Sequence, residues 1–107
     1  MKKLNIEITP KELCRINRDS YELIDVREIR EKSIADIGGR LIPVNTLPSI
    51  ADDEFLKKSR LILYCHHGIR SLHGVQYLHS MGFARVQSLQ GGINLWSKDI
   101  DSTIPSY

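Results

Sequence analysis

The sequence predicts an α/β fold with a central, mainly parallel sheet of about five strands. Short apolar runs of strand length, of which Leu61–Tyr64 is the clearest, alternate with segments of helical apolar spacing. A run without charged residues is typical of a strand buried on both faces, as in parallel sheets. Helices between parallel strands cover both faces of a sheet, so we expect a three-layer α/β/α sandwich with right-handed crossovers.

Length and composition are those of a single globular domain. The chain has 107 residues, of which 41% are hydrophobic, and no repeat, linker or low-complexity stretch divides it, so we expect one domain over residues 1–107. The net charge of +2 and the lack of a basic run argue against a nucleic-acid partner. No apolar run suits a membrane span, and none follows Met1-Lys2-Lys3 as in a signal peptide. We therefore expect a soluble, cytoplasmic protein with no membrane partner.

The chain is predicted to begin with a strand, a helix and a second strand. Residues Asn5–Ile8 alternate as a short strand does. The helix that follows begins with Thr9 as its cap, Pro10 in its first turn and Glu12 completing a capping box. The second strand is expected over the β-rich residues Tyr21–Val26.

Two short segments before Leu61 are predicted to be helical. The residues Glu28–Lys32 are mostly charged, which favours a helix with solvated side chains. Residues Leu47–Phe55 are expected to form a short helix with Asp52-Asp53-Glu54 on its exposed side.

The second half of the chain is predicted to contain two strands and two helices. The strands are Leu61–Tyr64 and Arg85–Leu89. After Ser71, an apolar stripe indicates a helix that Gly82 ends, and Gly91-Gly92 allow a sharp turn before a short helix that buries Trp96. The stripe consists of Leu72, Val75, Leu78 and Met81.

Cys65 lies at a predicted turn from a strand to a helix, a place where α/β proteins commonly carry functional groups. A loop around its sulfur would direct backbone N–H groups and the positive end of the next helix toward it, and Arg70 would add a full charge. Gly68 would supply the positive φ that such a loop requires. These effects stabilise a thiolate, so Cys65 is predicted to be a nucleophile rather than only a small buried residue at a strand end.

Three segments resemble one known family. The loop Cys65–Ser71 is similar to the active-site loop of the rhodanese family, in which a Cys-x-x-Gly-x-Arg loop carries a sulfur atom as a persulfide on the cysteine. Leu23–Glu28 resembles the family's early Asp-Val-Arg segment, and Gly91–Trp96 resembles its late Gly-Gly-x-x-x-Trp segment. All three occur in the family's order, so the resemblance covers nearly the whole chain and implies the rhodanese-like sandwich.

Two further segments are similar to a subgroup of that family. Gly38–Asn45 departs from the commonest family pattern and resembles rhodanese domains fused to enzymes that adenylate ubiquitin-like sulfur carriers, as does the segment Asp99–Tyr107. The adenylating domain does not occur in these 107 residues. The resemblance implies a small-molecule sulfur donor as partner and leaves open a protein sulfur acceptor or carrier.

The resemblance also implies roles for individual residues. Cys65 would take sulfane sulfur from a donor such as thiosulfate and pass it to a thiophilic acceptor, without a cofactor. Asp25 would hold the loop or a neighbouring backbone. The substrate-binding residues are expected to be His66, His67, Gly68, Ile69 and Arg70, supported by Asp25, Arg27 and Ser71.

The histidines and the second cysteine are given no catalytic role. Adjacent residues on a tight loop seldom bind one ion together, so His66 and His67 are not expected to hold a metal. One of them would place partial positive charge near the sulfur, and the other would face solvent. His73 and His79 share no helical face and are expected at the surface. Cys14 is expected to be a packing or surface residue, and two cysteines so far apart favour a reducing compartment.

Three classes of function fit this pattern. The first is a sulfurtransferase that works through a Cys65 persulfide. The second is a phosphatase on the same fold, whose loop is one residue longer and therefore wide enough for a tetrahedral phosphate; the four residues between Cys65 and Arg70 argue against it. The third is a non-catalytic sulfur-relay or interaction module, which usually lacks the cysteine that this chain retains.

Overall fold

Five strands form one sheet in which every neighbouring pair is parallel. The computed structural model describes residues 4–107, so the prediction for Met1-Lys2-Lys3 lies outside the described residues. The strands are β1 (Glu7–Ile8), β2 (Glu22–Asp25), β3 (Arg40–Leu41), β4 (Leu61–Tyr64) and β5 (Val86–Leu89). Their order across the sheet is β1-β5-β4-β2-β3, which places β4 at the centre.

Residues 4–107 also contain five α-helices and two 3-10 helices, of which the last α-helix follows the last strand. Thr9 caps the first helix, with the capping box to Glu12 that the sequence predicts. The α-helices are α1 (Pro10–Leu13), α2 (Ile29–Lys32), α3 (Glu54–Lys58), α4 (Ile69–Ser80) and α5 (Gly92–Asp99), and the 3-10 helices are Arg18–Ser20 and Val44–Ile50.

The sheet is covered on both faces, which confirms the predicted α/β sandwich. On one face, Leu61 and Leu63 of β4 pack with Val75 and Leu78 of α4 in a buried cluster. On the other face, side chains from β4 join a second buried cluster with α1 and α5; its members include Ile62, Tyr64, Leu13 and Trp96. Because β4 contributes to both clusters, all four of its residues are fully buried, as its uncharged sequence predicts.

The predicted helix over Leu47–Phe55 is wrong. Residues Val44–Ile50 form a 3-10 helix that contains Pro48, which has no backbone N–H for a regular helical hydrogen bond. A new helix begins after Asp53, whose side chain accepts a hydrogen bond from the backbone N–H of Leu56 at 3.0 Å.

Smaller differences concern the ends of two helices. The helix α4 ends at Ser80 before Gly82, which has a φ of 95°. Met81 is therefore the capping residue and is 36% exposed, so it does not belong to the core stripe. Trp96 is only partly buried and packs at the edge of the second cluster.

The described part of the chain contains no helix that is both long and apolar enough to cross a membrane. The longest helix, α4, spans Ile69–Ser80 and carries polar residues on its outer side.

Candidate active site

Cys65 directly follows the central strand β4 and lies at the carboxyl edge of the sheet. It is 1% exposed, and β2 and β5 flank the strand that carries it. Parallel sheets place their functional sites at this edge, because the loops that leave neighbouring strands meet there. The position of Cys65 therefore comes from the length and register of β4.

The sulfur of Cys65 receives hydrogen bonds from the loop that follows it. The backbone N–H of Gly68 donates to Sγ at 3.1 Å, and that of Ser71 donates at 3.4 Å. The Ser71 hydroxyl lies 3.5 Å from Sγ and 2.7 Å from the hydroxyl of Ser88 on β5. The two backbone N–H groups lie at the N-terminus of the twelve-residue helix α4, where the partial positive charge of the helix faces the sulfur.

Glycines let the loop close and pack against the start of α5. Gly68 has a φ of 97° and precedes α4, a conformation that other residues adopt only with strain. Gly92 approaches the loop so closely that an added Cβ would overlap the carbonyl oxygens of Cys65 and His66. Those two carbonyls accept hydrogen bonds from the backbone N–H groups of Ile93, at 2.9 Å, and Asn94, at 3.1 Å. The start of α5 thus holds the shape of the loop.

The guanidinium of Arg70 forms an ion pair with Glu31 rather than a hydrogen bond with the sulfur. Its two terminal nitrogens donate to the two carboxylate oxygens of Glu31 at 2.7 and 2.8 Å. This bidentate geometry is the strongest that an arginine makes with a carboxylate. Hydrogen bonding and the charge of Glu31 raise the pKa of Arg70, and Cys65 is close enough to contribute to the same effect.

Glu31 is the main functional candidate that the sequence analysis missed. The residue was predicted to face solvent with the rest of Glu28–Lys32, but it is 8% exposed. The prediction is wrong at this position because a partner that is remote in the sequence, Arg70, covers the carboxylate. The hydrogen bonds from Arg70, more than the opposing effect of burial, lower the pKa of Glu31 to about 2.

Tyr107 connects this ion pair to a second one. Its hydroxyl donates to Oε1 of Glu31 at 3.1 Å and accepts from Nη1 of Arg27 at 2.8 Å. Its ring stacks on the imidazole of His66 with the centroids 3.9 Å apart. The similarity of Asp99–Tyr107 to a family segment was the only sequence signal for Tyr107, and it gave the residue no role.

Asp25 and Arg27 form a buried ion pair behind the loop. Both side chains are fully buried, and Asp25 accepts from Nε and Nη2 of Arg27, each at 2.9 Å. Tyr64 donates to the same carboxylate at 3.1 Å, and Arg27 also donates to the carbonyl oxygen of Ala35 at 2.8 Å. Asp25 therefore contacts the strand before Cys65 through Tyr64, and Arg27 contacts the Glu31–Arg70 pair through Tyr107.

The loop histidines differ in environment. His67 is exposed, whereas His66 is partly buried between His67 and Tyr107, with an Nε2 atom that has no hydrogen-bond partner. Burial, together with the nearby His67, lowers the pKa of His66, so its imidazole is neutral at pH 7. Ile69 is 67% exposed beside them. His66 thus supplies no fixed positive charge near the sulfur.

Within the described residues, the other two histidines and Cys14 form no hydrogen bond with the residues of this site. His73 is exposed, but the prediction of a surface position is wrong for His79, which is partly buried with Nε2 lying 3.2 Å from the carbonyl oxygen of Val86. Cys14 is exposed and, like Cys65, is a free thiol. Within residues 4–107, no group of three His, Cys, Asp or Glu side chains is placed to hold a metal ion.

We expect the Glu31–Arg70 pair to make folding stability sensitive to acid. The pKa of Glu31 falls from 4.5 to about 2 on folding, so the unfolded chain binds more protons between these values. The contribution is complete above pH 4.5 and is lost as the pH falls toward 2. Urea unfolding should show Glu31→Gln to be less stable than the parent by about 1–3 kcal/mol at pH 7, with the difference shrinking in acid. A difference that stays constant down to pH 2 would contradict this account.

The sequence is similar to known proteins over most of its length. The sequence model of one family, described as Rhodanese-like domain, matches residues 9–99. Thiosulfate sulfurtransferase GlpE of Glaesserella parasuis is 32% identical over 98 residues, which cover 90% of each chain. The probable adenylyltransferase/sulfurtransferase MoeZ of Mycobacterium tuberculosis is 37% identical over 105 residues, or 94% of this chain.

Among solved structures, the human single-domain sulfurtransferase TSTD1 has the same fold. The TM-score is 0.78 with 24% sequence identity, and the match covers 89% of this chain and 97% of the human one. Several of these curated relatives are much longer than this chain, which spans only 26% of MoeZ and 31% of a Rhodanese-like/PpiC domain-containing protein of Arabidopsis thaliana.

Proposed function

Because the chain belongs to the rhodanese-like domain family, we propose that it is a sulfurtransferase that moves sulfane sulfur through a persulfide on Cys65. A sulfurtransferase is the kind of enzyme that its relatives support, since GlpE, a single-domain protein of similar length, carries that name. The observation that supports the proposal most directly is the pair of backbone N–H groups, from Gly68 and Ser71, that point at the buried Cys65 sulfur.

The reaction begins with the Cys65 thiolate. It attacks the terminal sulfur of the donor, a new S–S bond forms, and the electron pair of the old bond leaves with the rest of the donor. An acceptor thiolate then attacks the outer sulfur and regenerates the Cys65 thiolate. The amides of Gly68 and Ser71 hold negative charge at this position in both steps, and no oxidant is consumed because one S–S bond replaces another.

The acceptor is either a small thiophile or a protein. Several relatives, including MoeZ, combine adenylyltransferase and sulfurtransferase in their names. This similarity supports a protein sulfur acceptor or carrier as a partner of the chain, alongside a small-molecule donor.

Mass spectrometry of the intact protein tests the proposal. Incubation with thiosulfate, and separately with 2-hydroxyethyl persulfide, should add one sulfur atom, and peptide mapping should place that atom on Cys65 rather than on the exposed Cys14. Cyanide should then remove it. Hydrolysis of an aryl phosphate by the same sample should be absent, because the four-residue loop is too narrow for phosphate. Phosphate hydrolysis without sulfur uptake would replace this proposal with a phosphatase.

A further inference from the structure

The guanidinium of Arg70 is occupied where a loop arginine could otherwise bind an anionic donor. Both of its terminal nitrogens donate to Glu31, at 2.7 and 2.8 Å, and the side chain remains 37% exposed. The pair carries no net charge. An incoming anion therefore meets a guanidinium whose two terminal nitrogens already donate to the carboxylate of Glu31.

Glu31 is held firmly in this position. Its Oε2 also accepts from the backbone N–H of Glu28 at 2.9 Å, and its Oε1 accepts from the hydroxyl of Tyr107 at 3.1 Å. Each oxygen thus has two donors. With a pKa of about 2, the carboxylate stays charged at neutral pH, so Arg70 has a permanent counter-ion.

Within residues 4–107, the second arginine near the loop, Arg27, is also paired. Asp25 neutralises Arg27 in a fully buried pair, and the hydroxyl of Tyr107 takes up another N–H of that arginine. His66 is neutral at pH 7, while His67 and Ile69 are exposed on the outer side of the loop. A donor that reaches Cys65 therefore encounters amide dipoles and one neutralised ion pair.

We propose that Glu31 is a specificity-determining residue that directs Cys65 toward sulfur donors with at most one negative charge, organic persulfides of the form R–S–SH, and against dianionic thiosulfate. Glu31 acts through Arg70, whose fork it fills, and Tyr107 is the positioning residue that orients Glu31. The inference rests on the proposed sulfur transfer and names its donor class.

The chemistry is the same for both donor classes, so the difference lies in binding and in repulsion. With a persulfide, the thiolate of Cys65 bonds to the terminal sulfur, the S–S bond of the donor breaks, and its electron pair leaves with R–S⁻, so that a persulfide remains on Cys65. With thiosulfate, sulfite leaves with two negative charges and the second sulfur stays on Cys65. Only thiosulfate brings a second negative charge next to the carboxylate of Glu31.

The test compares two donors on the full chain. The values of kcat/KM for sulfur uptake from thiosulfate and from 2-hydroxyethyl persulfide are measured for the parent and for Glu31→Gln, which keeps the shape and removes the charge. We expect the ratio of thiosulfate to persulfide to rise by roughly tenfold or more in Glu31→Gln. The gain should shrink with added salt, because screening weakens the repulsion that it relieves.

A second variant and a control complete the test. Tyr107→Phe keeps the ring that stacks on His66 but removes the hydroxyl, and it should raise the same ratio by a smaller factor. Glu54→Gln removes a carboxylate from an exposed pair with Lys57 and should leave the ratio unchanged.

Two results would overturn the inference in different ways. If both Glu31→Gln and Tyr107→Phe still take up sulfur but the ratio of kcat/KM for thiosulfate to that for the persulfide equals the parent's, the role of Glu31 is refuted, while the proposed sulfur transfer stands. Folded protein that takes up sulfur from neither donor refutes the proposed sulfur transfer itself, and the inference with it.

Discussion

Replacing Cys65 with serine is expected to abolish sulfur uptake from every donor while leaving the fold intact. Serine is nearly isosteric with cysteine, and its Oγ can accept the same hydrogen bonds from Gly68 and Ser71. An alcohol, however, is hardly ionised at neutral pH and cannot form a persulfide. Loss of an essential nucleophile should lower kcat/KM for sulfur transfer to cyanide by at least about a thousandfold.

Cys14→Ser is the matched control for this variant. Cys14 is exposed and donates only to the carbonyl oxygen of Lys11 in its own helix region, so its replacement should leave sulfur transfer close to that of the parent. Both variants should unfold at urea concentrations near that of the parent. Sulfur transfer that survives in Cys65→Ser would remove Cys65 from the mechanism.

Gly92→Ala is expected to damage stability and activity together. The new methyl group would overlap the carbonyl oxygens of Cys65 and His66, and these are backbone atoms that cannot rotate away. Overpacking of this kind costs about 1–3 kcal/mol. The φ of 61° adds about 1 kcal/mol for a residue with a Cβ. Because the strain falls on the loop, sulfur uptake should slow even in the fraction of protein that remains folded.

Gly38→Ala separates the clash from the backbone strain. Gly38 also has a positive φ, of 94°, but an added Cβ there would meet no atom within 4 Å. Gly38→Ala should therefore lower the free energy of unfolding only by the cost of the positive φ, about 1 kcal/mol, as measured by urea unfolding. Its rate of sulfur uptake should match the parent's. If Gly92→Ala and Gly38→Ala lowered the free energy of unfolding equally, the close packing of Gly92 against the carbonyl oxygens of Cys65 and His66 would not contribute to stability.

Much of the fold could be predicted because its signals are local. The uncharged run Leu61–Tyr64 gave a buried central strand with the same bounds as β4, and Thr9 with Glu12 gave the start of α1. The segment Leu47–Phe55 was assigned incorrectly because two local signals compete within it. Pro48 disfavours a regular helix, while Asp53 begins a new one, and apolar spacing alone does not show which residue ends the element.

The site could be predicted where the residues are neighbours in sequence and not where they meet only on folding. Cys65, Gly68 and Arg70 lie within six consecutive residues, so their spacing could indicate a loop around the sulfur, although the pairing of Arg70 with Glu31 could not be foreseen. Glu31 lies in a charged run that would be solvated in an isolated helix, and its contacts with the remote residues Arg70 and Tyr107 bury it. Tyr107 likewise has a role only through its distant partners Arg27 and Glu31.

The strand order also determines when, during synthesis, the sheet can be completed. The first strand, β1, pairs only with β5, through Glu7 with Ser88 and Ile8 with Leu89. A nascent chain can pair β2 with β4 earlier, but β1 has no partner until Val86–Leu89 has left the ribosome. Loop closure over such a separation slows folding. The loop that begins at Cys65 depends on the same late region, since the backbone N–H groups of Ile93 and Asn94 hold the carbonyls of Cys65 and His66. In a nascent chain from which Val86–Leu89 has not yet emerged, the edges of β1 and β4 that pair with β5 therefore have no partner. The carbonyls of Cys65 and His66 also lack the hydrogen bonds from Ile93 and Asn94.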